Sequence, residues 1–221
     1  MQPFIVTEDM VLWGQYIGPD LSRFEGSVEI SDYLGRVDFG PCLQVSGSLS
    51  CGEGNTLIAG DIFVGGNLQV CNSLFARRHL DVQGNAEVGH NIRAQIHLSV
   101  EGHLKAGGRV TVGRDLRVLG CLDALETWVG RRILVRGDLD SARSVTAGLG
   151  LVVDGSLSTS VARAEFIKVQ KGIFVEELRG LLRYGVLCCG KHILPESAQK
   201  SVSFADFERT TDVQEAVFAA A

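Results

Sequence analysis

Asp61, His79, His97 and Asp115 follow one another at intervals of 18 residues. A fold that repeats on that interval would stack them in one column. Imidazole nitrogens and carboxylate oxygens stepping by ~4.8 Å could then ligate a divalent metal. The same side chains, solvated at a polar corner, would do no chemistry. Glu87, Lys105, Asp123 and Asp140 make a second column, at intervals of 18, 18 and 17. Its carboxylates suit general acid–base work on a sugar. With Lys105 between them they equally suit a salt-bridged surface ladder. His90 and His103 fall elsewhere, and no nucleophile with a positioned base surrounds either.

These intervals matter only if the chain folds on that period. Every sixth residue from Val64 reads Val64, Val70, Ala76, Val82, Val88, Ala94, Val100, Ala106, Val112, Val118, Ala124. Two positions earlier the series reads Ile62, Leu68, Leu74, Leu80, Ala86, Ile92, Leu98, Leu104, Val110, Leu116, Leu122. A six-residue unit whose first and third positions share a face is a short strand followed by a corner. Gly66, Gly84, Gly102, Gly120, Gly137 and Gly155 each lie two residues past an inward Val, at steps of 18 and once 17. Three hexads therefore close one coil, and glycine is expected to supply positive φ at a tight corner. The expected fold is an all-β solenoid, a triangular single-stranded parallel β-helix of about 18 residues per coil.

The hexads sort into three faces. The first carries Ile62/Val64, Leu80/Val82, Leu98/Val100, Leu116/Val118, Ile133/Val135 and Leu151/Val153. The second carries Leu68/Val70, Ala86/Val88, Leu104/Ala106, Leu122/Ala124 and Leu139/Ser141. The third carries Leu74/Ala76, Ile92/Ala94, Val110/Val112, Thr127/Val129 and Val145/Ala147. The register slips near Asn55, drops one residue near Leu125, and slips again after Leu157 before resuming at Ile167/Val169 and Ile173/Val175. Three segments are expected: an apolar N-terminal cap over 1–27, the β-helix over 28–194, and a helical tail over 195–221. Within the tail, Ser203-Phe-Ala-Asp206 reads as a capping box opening an amphipathic helix over 203–219.

Bulk composition excludes several classes. Glycine is 27 of 221 residues, well above the usual ~7% and consistent with a turn-rich repeat. With 21 basic and 26 acidic residues the net charge is −5, and no basic run invites nucleic acid. Six cysteines show no CxxC pairing and no regular disulfide spacing, and Cys51, at an inward position, suits a small reduced apolar side chain. The N-terminus lacks a basic leader, and no apolar run reaches the ~18 residues of a membrane span. A soluble cytoplasmic protein is expected. No cofactor motif is visible.

The order within the hexad separates two families. The left-handed hexapeptide helix of acyltransferases places a small residue two positions before the large one. Here the large residue comes first, as in Leu104-Lys-Ala106, which points to the right-handed form. The phrases Leu80-Asp-Val-Gln-Gly-Asn85, Leu98-Ser-Val-Glu-Gly-His103 and Ile133-Leu-Val-Arg-Gly-Asp-Leu139 resemble the repeats of bactofilins, polymer-forming bacterial cytoskeletal proteins. The resemblance covers about 43–175. It implies a right-handed β-helix that assembles end to end without nucleotide. Bactofilin helices usually carry short polar tails, whereas both flanks here are apolar enough to fold as caps that block coil-on-coil stacking.

Apolar residues at outward positions are Phe63, Phe75, Trp128, Leu134 and Val152. Such residues mark a covered or shared surface, either beneath the chain's own flanks or between subunits. The expected function is a non-enzymatic scaffold that self-associates into a homo-oligomer or presents a flat β-helix surface to protein partners. The alternatives are a hexapeptide-type acyltransferase using His90 or His103, or a carbohydrate-active β-helix protein.

Overall fold

The structure, a computed structural model, describes residues 2–182 and 186–193, the last stretch from 181 by backbone alone. The helix expected over 203–219, and with it the helical tail, lies outside the described residues. Among those described, the single helical element is a 3-10 turn at Glu8–Met10.

The chain is an all-β parallel solenoid. Each hexad is a strand whose first and third residues point inward, and each strand pairs with the one a coil earlier. On the first ladder Leu80 lies opposite Ile62 and Leu98 opposite Leu80, followed by Leu116, Ile133, Leu151 and Ile167. The second ladder stacks Leu49, Leu68, Ala86, Leu104, Leu122, Leu139, Leu157 and Ile173. The third stacks Val37, Leu57, Leu74, Ile92, Val110, Thr127 and Val145. The interior is one continuous core in which Leu80, Leu98, Val100, Leu104 and Leu116 are at most 1% exposed. Each such leucine contributes roughly 1.5–3 kcal/mol through burial.

The slips are absorbed locally. The residue lost near Leu125 leaves an unbroken strand, Leu122–Val129, with a register shift between Ala124 and Glu126. The extra length near Asn55 is pinned by that residue. Asn55 is fully buried, its Oδ1 accepting from Gly35 N at 2.9 Å and its Nδ2 donating to Ser31 O at 2.6 Å.

The corner glycines form a column, as their spacing requires, but for a different reason than expected. Among the described glycines positive φ occurs at Gly14, Gly26, Gly35, Gly40, Gly54 and Gly180, not at the 18-residue series. In that series the missing Cβ is what matters. At Gly84 it would lie 2.4 Å from Asn67 Oδ1 and 2.6 Å from Gly66 O, and at Gly102 2.3 Å from Asn85 Oδ1. The coils approach so closely there that each glycine N–H bonds the glycine carbonyl of the coil before: Gly84 to Gly66 at 3.0 Å, Gly102 to Gly84 at 3.0 Å, Gly120 to Gly102 at 2.9 Å.

At several of these corners the residue after the glycine ties the coils with its side chain. Asn85 N donates to Asn67 Oδ1 at 2.9 Å, His103 N to Asn85 Oδ1 at 2.8 Å and Cys121 N to His103 Nδ1 at 3.0 Å. Further along, Ser156 N donates to Asp138 Oδ1 at 2.7 Å. Backbone donors that a corner would leave exposed are thereby satisfied coil by coil.

The N-terminal segment enters the stack directly. Phe4–Val6 pairs in parallel with Val28–Ile30, which pairs in turn with Leu49–Cys51. Val11–Leu12 and Gln15–Tyr16 form an antiparallel hairpin. Its two loop residues, Trp13 at φ 50° and Gly14 at φ 79°, have the positive φ pair of a type I′ turn. A buried carboxylate ties this end together. Asp38 accepts hydrogen bonds from Arg36 at 3.0 Å, from Gly40 N at 3.0 Å and from Arg77. Burial opposes its ionisation, yet those donors outweigh it and hold its pKa down at about 2.

Candidate functional site

Asp61, His79, His97 and Asp115 do stand in one column, on the leading edge of the first ladder. The imidazoles stack, with centroids 5.4 Å apart and planes 15° from parallel. His97 Nδ1 lies 3.5 Å from Asp115 Oδ2, and Asp61 is ion-paired with Arg78. The column is thus divided between partners instead of converging. Among the described residues no group of three or more His, Cys, Asp or Glu is placed to hold a metal ion.

Two residues further along the same strands runs a parallel column of Phe63, Asp81, Ser99, Arg117, Leu134 and Val152. All six are partly shielded. Shielding shows in the titration of their neighbourhood. Burial pushes the Asp81 carboxyl up, against the opposing pull of His79 and His97. Burial pushes His97 down, against Asp115, which favours its protonated form. Asp115 is 8% exposed, and its Oδ1 has no hydrogen-bond partner in the chain; nor has Arg117 Nε.

The other sequence candidates lie apart. Phe75 and Trp128 belong to the third ladder, so the outward apolar residues divide between two faces. Arg93 covers the Phe75 ring at 5.4 Å, and Trp128 is 44% exposed beside Thr111 and Thr146. On the second ladder Lys105 Nζ is 3.5 Å from Glu87 Oε1, both largely exposed, a contact of small energetic weight. Asp123 and Asp140 are exposed on the same ladder. Asp140 lines a shallow depression with Ser158, Phe174 and Glu176. His103 is occupied in the corner ladder, and His90 is exposed.

The feature that spacing did not reveal is at the N-terminal end. Trp13 is 95% exposed, Tyr33 74%, Ile17 59%, Leu12 50% and Ile5 49%. Among the described residues, no large hydrophobic side chain between 34 and 118 is comparably exposed. Tyr33, like Trp13, has positive φ, and its hydroxyl donates to Glu53 Oε2 at 2.8 Å. The signal in the sequence was Trp13-Gly14 between Val11-Leu12 and Gln15-Tyr16, a hairpin dipeptide with an aromatic where Asn is usual. No helix among the described residues is long and apolar enough to cross a membrane. The chain matches no protein-family model, no curated protein and no solved structure at a significant level.

Proposed function

We propose that this chain is a structural scaffold, a right-handed triangular β-helix of the kind its repeats resemble in bactofilins, whose N-terminal end joins other copies. The observation that carries the reading is the concentration of exposed apolar side chains on the opening coils. A left-handed backbone at an aromatic residue costs about 1–2 kcal/mol, and here that conformation holds Trp13 almost wholly in solvent. Strained backbone that presents a large apolar side chain is a mark of a contact surface. At the same end, among the described residues, Phe4–Val6 is hydrogen-bonded along one edge only, to Val28–Ile30. Edge and apolar rim together favour joining to a second strand.

Light scattering of the purified chain against its Leu12→Asp/Trp13→Asp variant tests this. A wild-type mass that rises with concentration, and falls to that of the monomer in the variant, supports the reading. A wild type that stays monomeric at hundreds of micromolar, or a variant that assembles unchanged, refutes it.

A further inference from the structure

We infer that the third ladder is a binding face for an acidic polysaccharide lying along the solenoid axis, with uronate carboxylates on its arginines and a sugar ring on Trp128. This does not rest on the self-association proposed above.

The face is basic in an acidic chain. The third-ladder strands and their adjoining corners, over 89–96, 107–114, 125–131, 142–149 and 160–165, carry Arg93, Arg109, Arg114, Arg131, Arg143 and Arg163. The carboxylates among them are Glu126 and Glu165. Six cations against two anions, with histidine neutral, give +4 where the whole chain carries −5. These arginines are scattered along the sequence, so no basic run announces them; the coil period collects them on one side. Glu126 is already paired with Arg109 at 2.6 Å. Arg114, Arg131, Arg143 and Arg163 are exposed, and none has an ion-pair partner among the described residues.

One column of this face is symmetric about the indole. Arg93, Thr111, Trp128, Thr146 and Arg163 are successive register partners, one per coil. At ~4.8 Å per coil the two arginines stand about 10 Å to either side of Trp128 and about 19 Å apart. Trp128 is 44% exposed, with the two threonines half-buried beside it. An exposed indole offers an apolar platform to the C–H face of a pyranose ring. Threonine hydroxyls both donate to and accept from sugar hydroxyls, and guanidinium groups take carboxylates in a bidentate grip. Phe75 steadies Arg93, which lies over its ring at 5.4 Å.

The spacing selects the polymer. An extended pyranose chain advances about 5 Å per ring, close to the ~4.8 Å step between coils, so successive rings stay in register with successive coils. Cations on the second coil either side of Trp128 then suit a chain with a carboxylate on every second ring, an alternating copolymer of a uronate and a neutral sugar. A nucleic-acid strand, which stacks successive bases on successive aromatics, fits less well, because the neighbours of Trp128 in the column are threonines. The corner arginines add long-range attraction for the polyanion.

The chain has two tryptophans, Trp13 and Trp128, so Trp13→Phe leaves Trp128 as the sole indole. Titration of that variant with a hyaluronate octasaccharide, which alternates uronate with N-acetylhexosamine, should change Trp128 emission and saturate. The dissociation constant should rise about tenfold from low to high salt. In calorimetry on the full chain, Arg93→Gln and Arg163→Gln should each weaken binding about three- to tenfold, and Trp128→Ala more than about tenfold. Lys105→Gln, on the second ladder, should leave it unchanged. No emission change with millimolar octasaccharide overturns the inference. So does binding of a neutral dextran oligosaccharide as tight as that of hyaluronate, which removes the carboxylates from the account. Binding of oligothymidylate of equal charge as tightly as hyaluronate overturns it in favour of a nucleic-acid face. A Lys105→Gln loss equal to that of the arginine variants shows attraction without a site and overturns it too. If Trp128→Ala fails to fold by circular dichroism, the emission titration and the two arginine variants still decide.

Discussion

Substitution of Gly102 tests why the corners carry glycine. An alanine Cβ there would sit 2.3 Å from Asn85 Oδ1 and 2.7 Å from Gly84 O, about 1 Å inside ordinary contact. The coils must part at that corner. Parting stretches the Gly102 N–Gly84 O bond of 3.0 Å and the His103 N–Asn85 Oδ1 bond of 2.8 Å. Two neutral hydrogen bonds weakened at about 1 kcal/mol each, with overpacking of about 1–3 kcal/mol, give a loss of about 3–5 kcal/mol in urea denaturation. Gly102→Asn should be at least as damaging, because its Cβ meets the same atoms. Gly40 is the control: φ is +74° and nothing lies within 4 Å of the added Cβ. There alanine costs about 1–2 kcal/mol through backbone strain alone, and asparagine, which tolerates positive φ, costs less. If Gly102→Ala falls within 0.5 kcal/mol of wild type, or Gly102→Asn is clearly milder than Gly102→Ala, close approach of the coils is not the reason.

Asn85→Ala removes the acceptor for His103 N and should cost about 1–2 kcal/mol by thermal denaturation; Glu87→Ala, on an exposed pair, should cost under about 0.5. Acid titration should reveal Asp38. Its pKa is held at about 2 from the ordinary 3.8, so its stabilisation is complete above pH 4 and is lost as pH falls from there towards 2. With its arginines half exposed, that amounts to about 1–2 kcal/mol, and Arg77→Ala should flatten the acid limb measured by fluorescence. Thiol labelling should separate the cysteines. Among Cys42, Cys51, Cys71 and Cys121, Cys71 is exposed and should be modified first, whereas burial pushes the Cys51 thiol up to about 12 and should leave it unlabelled until the chain unfolds.

The solenoid was legible because burial imposes a strict period. Every first and third hexad residue faces one core, so Leu80/Val82 and Leu98/Val100 had to recur in register. The column of Asp61, His79, His97 and Asp115 was legible for the same reason. Its partners were not, because which rotamer meets which neighbour is decided between coils: Asp61 takes Arg78, and His97 takes Asp115. Trp128 and Leu134 look close in sequence, but a corner separates them onto different ladders. The expected positive φ at Gly84 and Gly102 followed from the usual use of glycine in turns. Only the coil-to-coil distance shows that a missing Cβ is the requirement. Asp38 and Arg77 are 39 residues apart, outside any repeat interval, and their pairing had no signature in the sequence.

Negative-stain imaging of the wild-type chain across a range of concentrations tests the scaffold most directly. Joined columns, longer or wider than one solenoid and more numerous as concentration rises, are the expected result. Single isolated columns at every concentration would contradict it.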